Sequence, residues 1–366
     1  MTINIHSQQS LVDLLCLCSV PRVGSRRIRM LISRFSTPDG VFQAPARELM
    51  QIEGISKQLA LNIKQHDNKV WAEKQISLLA KNGARIIAYW DDDYPPMLKA
   101  TEDAPIIIYL RGQHQIFSER CIAIVGTRHP STYGKMIVES LTRDLVRNGF
   151  TIVSGLARGI DTIAHQVTVQ ENGKTAAILG CGVDVMYPPE NGKLARDIMV
   201  NGALVSEFPM GTRPEPMYFP RRNRIIAGLC AATLVIEAGQ KSGALITADH
   251  AVEQGRDVFA VPGNINNPNS SGCNRLVQQG AKLITHVNDI LEEFTPTEIQ
   301  ARTAPPMDLT AEERQVFDRL SSEPVHIDRL SDLTGMPTSK VLGVLLGLEL
   351  KNVVKQIVGK HFVRAF

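Results

Sequence analysis

The chain has 366 residues, of which 43% are hydrophobic and 21% charged, and its formal net charge at pH 7 is +3. This length predicts two or three domains, and the apolar content excludes a disordered chain. The small net charge excludes a uniformly basic nucleic-acid coat, so an anion site must come from a local concentration of lysine, arginine and backbone N–H groups.

The six cysteines are scattered along the chain, and only Cys16 and Cys18 stand close together. No C-x-x-C pair occurs, so we expect no structural metal site, and the scatter is typical of reduced thiols in a cytoplasmic protein. The N-terminal stretch lacks the basic region and cleavage site of a signal peptide, and no apolar run approaches the length of about 18 residues that a membrane span needs. We therefore expect a cytoplasmic protein without a membrane span.

Residues 1–66 have the pattern of short helices. Two similar stretches, SVPRVGSRRIRMLI and MQIEGISKQLALNI, each combine an apolar residue, a glycine and a following helical segment. This pattern predicts a small helical domain that is SAM-like or helix–hairpin–helix-like, and such hairpins can point backbone N–H groups at DNA phosphates. A helical domain that only packs against the rest of the chain remains open.

Residues 67–294 alternate between apolar runs and helical segments, beginning with a predicted helix at 70–82. The apolar runs are RIIAY, PIIIYL, CIAIV, FTIV, TAAIL, ALVS, ATLVIE, DVFAV and AKLI. Such short, nearly continuous runs are typical of buried parallel strands, and their alternation with helices predicts a Rossmann-like, doubly wound, mostly parallel sheet. Ligands of these sheets bind outside the carboxyl ends of the strands, so the loops after the strands are the expected site.

The last part of the chain predicts a linker and a winged helix. Residues 295–308 are rich in proline and threonine and lack apolar periodicity, as linkers do. Residues 309–366 contain three helical segments and then two β-like runs around Gly359 and Lys360. From residue 310 onward there are eight lysines and arginines and seven acidic residues, so we expect no strong DNA binding by this domain alone, and a protein contact is an equal alternative.

The loops after the predicted strands are rich in glycine. They are GTR at 126–128, SGLARGID at 154–161, GCGVD at 180–184, FPRRNRIIAGL at 219–229 and KSGALITADHA at 241–251. A Walker P-loop is excluded because Gly126 and Gly134 are eight residues apart and Met136 replaces the serine or threonine that would ligate Mg²⁺. A dinucleotide fingerprint is incomplete because the first turn has one glycine, so we expect no cofactor.

Arginine is the second feature of these loops. Five arginines occur in them: Arg128, Arg158, Arg221, Arg222 and Arg224. With backbone N–H groups at glycine turns and helix N-termini, five guanidinium groups match several phosphates, as in a nucleic-acid backbone, better than one mononucleotide. Tyr218 and Phe219 stand beside them and could stack on bases. The alternatives are that the arginines at 221–224 form surface ion pairs and that the two aromatic side chains only pack under the loop.

The strings IVGTR, SGLARGIDTIAH, LGCGVDVMYP, FPRRNRIIAGL, KSGALITA and QGRDVFAVPG, in this order, resemble the DprA/Smf (DNA processing protein A) family of natural transformation. The resemblance implies a cytosolic homodimer that binds and protects single-stranded DNA, helps load the RecA recombinase and performs no catalysis. Its motifs imply DNA contacts by Gly126, Thr127, Arg128, Ser154, Gly155, Arg158, Gly159, Asn223 and Arg224. To these the loops themselves add Phe219, Arg221, Arg222, Ser242 and Gly243.

A nucleotide-binding or nucleotide-hydrolysing enzyme that uses the same cleft is the alternative function. Asp161 and His165 are four residues apart on one predicted helix, and Glu207 and Glu237 each follow a predicted strand. These side chains could form an acid–base pair or a catalytic carboxylate. The competing interpretation places Asp161 in the first turn of a helix, where the helix dipole favours a carboxylate, and His165 in a local packing role.

Overall fold

The computed structural model describes residues 8–113, 115–117, 120–294, 310–320, 325–351, 354–357 and 360–364. Residues 1–295 and 296–366 form two compact units. The predicted linker at 295–308 lies outside the described residues. In the part of the chain that the structure describes, no helix is long and apolar enough to cross a membrane.

The first unit begins with a series of helices. They are α1 (Gln8–Cys18), α2 (Ser25–Phe35), α3 (Pro38–Gln43), α4 (Ala46–Leu49), α5 (Lys57–Gln65) and α6 (Lys69–Asn82). Apolar residues recur at helical spacing in α2, where Ile28, Leu31 and Ile32 are buried. The serine before α5, Ser56, caps that helix by accepting the Leu59 N–H.

A mostly parallel sheet follows. Its strands are β1 (Ala84–Ala88), β2 (Ile107–Gly112), β3 (Cys121–Val125), β4 (Thr151–Ser154), β5 (Thr175–Ile178), β6 (Ala203–Ser206), β7 (Ala232–Val235), β8 (Asp257–Ala260) and β9 (Lys282–Leu283). The spatial order is β1-β2-β6-β5-β4-β3-β7-β8-β9. Strands β3 to β9 pair in parallel, whereas β1 with β2 and β2 with β6 pair antiparallel. The doubly wound fold predicted from the sequence is therefore confirmed.

Helices cover both faces of this sheet. They are α7 (Pro96–Lys99), α8 (Thr132–Arg147), α9 (Ile160–Gln170), α10 (Gly192–Asn201), α11 (Tyr218–Gly228), α12 (Gly243–Glu253), α13 (Ser271–Gln278) and α14 (Val287–Phe294). Alternate residues of β3 enter two cores: Ala123 packs with residues of α11 and α12, and Ile122 packs with residues of α8. Because both faces are covered, every residue of β3 is buried, which explains its continuous apolar run.

The strand order reverses between β3 and β7. Strands β4, β5 and β6 lie on one side of β3, and β7, β8 and β9 lie on the other. The loops that leave the carboxyl ends of β3 and β7 therefore diverge to opposite sides, and a crevice opens between them. The fold thus places a ligand site at this position before any side chain is considered.

The N-terminal helices share a hydrophobic core with the edge of the sheet. Their buried side chains pack with Ile107 and Tyr109 of β2 and with Met210. Gln75 of α6 is buried there; it accepts the Met210 N–H (2.8 Å) and donates to the Met210 carbonyl (3.3 Å). The helical region is continuous with the sheet through this core, and the domain boundary at residue 66 stays a prediction.

The second unit contains α15 (Ala311–Phe317), α16 (Ile327–Thr334), α17 (Thr338–Leu350) and a sheet of β10 (Val325–His326), β11 (Val354–Ile357) and β12 (His361–Arg364). A capping box of Thr310 and Glu313 begins α15. Strands β11 and β12 pair antiparallel as a wing beside the three helices. The winged-helix prediction is confirmed; of its predicted turn residues, Lys360 precedes β12 and Gly359 lies outside the described residues.

Candidate nucleic-acid interface

A groove of about 680 Å³ lies at the carboxyl ends of β3 and β7. It is the crevice that the reversal of strand order predicts. The loop after β3, the start of α9, the first half of α11 and the start of α12 line it. The predicted binding residues among its lining are Gly126, Thr127, Arg128, Phe219, Arg222, Asn223, Ser242 and Gly243.

The loop after β3 is fixed by its backbone. The Thr127 N–H donates to the Glu237 carbonyl (2.6 Å), and the Thr127 carbonyl accepts the Ile160 N–H (3.2 Å). A Cβ at Gly126 would lie 2.6 Å from Cγ1 of Ile160, so this position requires glycine. The loop is therefore packed against the start of α9, while the side chain of Arg128 is exposed at the rim of the groove.

The loop after β4 is built from residues that shape it from within. The buried Ser154 hydroxyl donates to the Ile124 carbonyl (2.6 Å). A Cβ at Gly155 would lie 2.4 Å from a guanidinium nitrogen of Arg222, and Gly159 has a φ of +80° and lies against Thr127. These residues stand behind the groove lining, so the structure gives Ser154, Gly155 and Gly159 a framework position.

The exposed arginine of this loop has a carboxylate partner. The side chain of Arg158 is 54% exposed and forms an ion pair with Glu190, which precedes α10. A hydrogen bond from Arg158 holds the pKa of Glu190 below its usual value. Arg158 therefore lies beside the groove with its charge already paired, whereas no carboxylate of the described residues forms an ion pair with Arg128.

Two arginines of α11 are paired with a buried carboxylate. The Glu207 side chain is 4% exposed; Arg221 Nε lies 3.0 Å from its Oε1, and Arg224 contacts its Oε2. Arg224 also lies 3.4 Å from Oδ2 of Asp103 and lines a separate hollow there. The ion-pair alternative for these two residues matches what the structure contains, and Arg224 is not brought into the groove.

Arg222, the arginine between them, is buried. It is 4% exposed, and its Nη1 donates to the carbonyls of Gly155 (2.7 Å) and Ile178. Asp161 is 6% exposed and accepts the N–H groups of Gly155 (3.1 Å) and Ala157 (3.4 Å). Burial lowers the pKa of Arg222 to about 10 and raises the pKa of Asp161 to about 6.

The remaining acid–base candidates have structural partners. Thr175 donates its hydroxyl proton to the Ile152 carbonyl (2.7 Å), so the Nδ1–H of the buried His165 donates to Thr175 Oγ1 (2.7 Å). Burial lowers the pKa of His165 to about 3. Glu237, 2% exposed, accepts the Ser131 N–H (2.9 Å) at the start of α8. In the described ranges no group of three or more His, Cys, Asp or Glu side chains could hold a metal ion.

Known proteins resemble both units of the chain. The model of the DNA recombination-mediator protein A family matches residues 85–295, and the model of the DprA winged helix domain matches residues 300–360. The chain is 32% identical to Protein Smf of Synechocystis, over 94% of this chain and 96% of that protein. It is 42% identical to DNA processing protein DprA of Bacillus subtilis, over 60% of this chain and 74% of that protein. The chain belongs to the DNA recombination-mediator protein A family.

Two solved structures of DNA processing protein A are similar to it. The protein from Streptococcus pneumoniae has a TM-score of 0.69 and 34% identity, and the match covers 77% of this chain and 97% of that one. The protein from Helicobacter pylori, described for its unique single-stranded DNA binding mode, has a TM-score of 0.53 and 29% identity, with coverage of 58% and 95%. The family resemblance carried by the six sequence strings is thereby confirmed.

The groove of this family member also contains two residues that the sequence interpretation missed. Lys241 is exposed and lines the groove beside α12. Tyr187 lines it beside Phe219, with ring centroids 5.5 Å apart. Tyr218, by contrast, packs on Phe208 at 4.4 Å, as the packing alternative stated. Both missed residues stand in the strings that carried the family resemblance, which was the available signal.

Proposed function

We propose that this protein binds and protects single-stranded DNA during natural transformation, in the groove outside β3 and β7. The observation that carries the proposal is the juxtaposition of a cationic rim, Arg128 and Lys241, with two aromatic rings, the half-buried Phe219 and the exposed Tyr187. Among the described residues no carboxylate forms an ion pair with either rim cation. Cations that follow the backbone and rings on which bases stack are the two components of single-strand sites. The Helicobacter pylori relative, described for single-stranded DNA binding, supports the same use of the fold.

The backbone of the groove adds anion-binding groups. Helix α12 begins at Gly243, and its cap Ser242 accepts the Ala244 N–H (3.3 Å), so the N-terminus of this helix points at the groove with its positive dipole end. We assign phosphate contacts to Gly126, Thr127, Arg128, Asn223, Ser242 and Gly243. We assign Phe219 to base stacking, and Arg158 to a phosphate contact that replaces its ion pair with Glu190.

The rest of the proposal comes from family membership. We propose that the protein acts in the cytoplasm as a homodimer, helps load the RecA recombinase on the bound strand and performs no catalysis. Side chains that contact backbone and ring faces carry little sequence information, so binding should depend weakly on base sequence.

The test compares a single-stranded and a duplex oligonucleotide of equal length across a salt series. Each neutralised phosphate of a single strand contributes about −0.7 to the slope of log affinity against log salt. Contacts by Arg128, Arg158 and Lys241 should therefore give a slope of about −2. Tighter binding to duplex at equal salt contradicts the proposal, and turnover of ATP, NAD or labelled DNA with Mg²⁺ contradicts its non-catalytic part.

A further inference from the structure

Two buried charged groups lie beneath the groove, on different helices. Asp161 is in the first turn of α9 and Arg222 is in α11, and both are more than nine-tenths buried. A buried charge is unfavourable unless a partner and hydrogen bonds compensate it. Neither side chain is exposed enough to be an ordinary surface contact for DNA. Their burial therefore needs a different explanation from that of the rim cations.

Both groups bond the backbone of the same residue, Gly155, in the loop after β4. Asp161 Oδ2 accepts the Gly155 N–H at 3.1 Å, and Arg222 Nη1 donates to the Gly155 carbonyl at 2.7 Å. Asp161 also accepts the Ala157 N–H at 3.4 Å. Arg222 joins this loop to β5 through its bond to the Ile178 carbonyl. Asp161 thus holds the loop at the Gly155 N–H, and Arg222 holds it at the Gly155 carbonyl.

This fixed loop has a backbone that needs external support. Leu156 has a φ of +54°, a left-handed conformation that a leucine rarely adopts. Its carbonyl accepts an N–H of Asn191 at 2.9 Å, and its side chain is fully buried. The hydrogen bonds of Asp161 on either side of Leu156, to Gly155 and Ala157, are placed to maintain this conformation.

The loop in turn positions the neighbouring one. At Gly159 the two loops approach so closely that a Cβ would lie 2.3 Å from the Thr127 carbonyl oxygen. The next residue, Ile160, donates its N–H to that same carbonyl at 3.2 Å. Thr127 directly precedes Arg128 at the rim. A displacement of the loop after β4 would therefore displace the backbone that carries Arg128.

We propose that Asp161 and Arg222 form a positioning pair that holds the loops after β3 and β4 in the conformation that receives DNA phosphates. The inference rests on the proposed function, because it assigns the pair a role in DNA binding. An apolar pair could fill the same space, but it could not bond the N–H and the carbonyl of Gly155 at once. Oδ2 of the carboxylate and Nη1 of the guanidinium supply these bonds.

The titration of Asp161 offers an independent readout. Burial raises its pKa to about 6, with Arg222 acting in the opposite direction. Arg222 is influenced by Asp161, Cys181 and Arg128, and the buried His165 stays neutral because burial lowers its pKa to about 3. Protonation of Asp161 below about pH 6 would replace a charged acceptor with a neutral one and remove a negative charge that stabilises the Arg222 guanidinium. DNA affinity should then decrease as the pH falls from 7.5 to 5.5.

The first experiment measures binding of a labelled oligothymidylate by fluorescence anisotropy at pH 7.5. The variants are Asp161→Asn and Arg222→Lys, and Asp249→Asn on the exposed face of α12 is the control with the same change of charge. We expect Asp161→Asn to weaken binding about tenfold, the change that follows from losing one charge-assisted hydrogen bond, with an unchanged salt slope. Coulomb attraction alone predicts tighter binding by Asp161→Asn, because the variant removes a negative charge near the DNA phosphates.

Arg222→Lys keeps the charge but loses the fork, so it should weaken binding by a similar factor. Asp249→Asn should bind as the wild type does. The inference is overturned if the wild type binds and Asp161→Asn binds equally well or better. Absence of binding by the wild-type protein would instead overturn the proposed function, and the inference with it.

The second experiment does not depend on the folding of either variant. It uses His129→Gln, because His129 is exposed at the groove and the substitution removes an ionisable side chain from the groove lining. With Asp161 intact, this protein should lose affinity about threefold between pH 7.5 and 5.5 at constant salt, because about a quarter of the molecules still carry a charged Asp161 at pH 5.5. Where Asp161→Asn folds, adding it to His129→Gln should flatten the profile. An affinity of His129→Gln that stays constant or rises in acid would overturn the inference.

Discussion

The loop after β3 and helix α11 both bring arginine to one groove, but they use it differently. Arg128 is exposed at the rim and forms no ion pair with a carboxylate of the described residues, so its guanidinium is available to a phosphate. Arg221 and Arg224 of α11 are paired with Glu207, and Arg222 is buried against backbone carbonyls. One region therefore presents charge to a ligand, and the other uses charge to hold the protein together.

The difference shows that exposure and partners, rather than residue type, decide what an arginine does. A guanidinium that already bonds a carboxylate must lose that bond before it can bind a phosphate, which reduces its net contribution to affinity. A buried guanidinium cannot move to a ligand without unfolding its surroundings. Measurements of stability and DNA affinity on the same variants therefore distinguish the two regions.

The largest effect should come from Arg222→Ala, measured by urea unfolding at pH 7.5. The substitution leaves the buried carbonyls of Gly155 and Ile178 without their charged donor, and each buried acceptor left unsatisfied costs about 1–3 kcal/mol, so the free energy of unfolding should fall by about 2–6 kcal/mol. Arg221→Ala, one residue earlier and 59% exposed, is the matched control and should cost less than about 1 kcal/mol. Equal losses for the two variants would contradict the framework role of Arg222.

Arg128→Ala should show the reverse pattern, with native stability and weaker binding to single-stranded DNA. Loss of a charge-assisted bond to phosphate costs about 1.5–3 kcal/mol of binding free energy, and the salt slope should become shallower by about 0.7. Arg196→Ala, exposed on α10, is the control and should leave affinity unchanged. Unchanged affinity of Arg128→Ala together with a native melting curve would remove Arg128 from the site.

The sequence predicts the fold more completely than it predicts the site. Continuous apolar runs such as CIAIV specify strands buried on both faces, and the structure contains a strand at each of these runs. Strands β1 and β2 lie at the edge of the sheet and pair antiparallel. An apolar run in the sequence does not indicate the direction in which its strand pairs. The reversal of strand order between β3 and β7 likewise appears only in three dimensions.

The sequence predicts which loops form the site, but it does not predict which arginines of those loops face the groove and which are paired or buried. Glu207 and Asp103 neutralise arginines of α11, and Asp103 is more than a hundred residues away from them in the sequence. The local sequence around an arginine does not show such distant partners, so the sequence alone does not distinguish the five arginines as phosphate ligands. The burial of Arg222 could not be read from FPRRNR, because a helix that packs on strand ends buries one arginine and exposes the next.

Buried His165 gives the framework side of the groove a predicted pH dependence. Burial lowers the pKa of His165 from 6.5 to about 3 in the folded protein. The contribution of this histidine to the free energy of unfolding is therefore fully present above about pH 6.5 and is lost as the pH falls toward 3. At pH 5 the loss relative to pH 7.5 should be about 2 kcal/mol. Asp161 acts in the opposite sense, because its raised pKa of about 6 adds stability as the pH falls from 6 toward 3.8.

Urea unfolding at pH 7.5 and pH 5 isolates the contribution of His165. His165→Gln cannot acquire a charge, so the difference in its free energy of unfolding between the two pH values should be smaller than that of the wild type by about 2 kcal/mol. His286→Gln replaces an exposed histidine and is the control. The same pH dependence in His165→Gln and the wild type would mean that this histidine is not held neutral by burial.

The smallest effect concerns Arg158, which stands between the two regions. It is exposed as Arg128 is, yet it is paired with a carboxylate as Arg221 is. Glu190→Gln removes the competing carboxylate and leaves the guanidinium free for phosphate. Because exposed ion pairs are weak, we expect binding to single-stranded DNA to become tighter by only about threefold, with a steeper salt slope.

A matched substitution tests whether the gain arises at the groove. Glu171→Gln also removes a carboxylate that pairs with exposed arginines, Arg143 and Arg147, but these lie on α8 away from the groove lining. If the change in net charge alone strengthened binding, both variants would bind DNA more tightly than the wild type, since each removes one negative charge. If Arg158 contacts DNA, only Glu190→Gln should gain affinity, and Arg158→Ala should abolish that gain in the double variant. An unchanged affinity of Glu190→Gln would instead mean that Arg158 does not contact DNA and, like the arginines of α11, has a structural role.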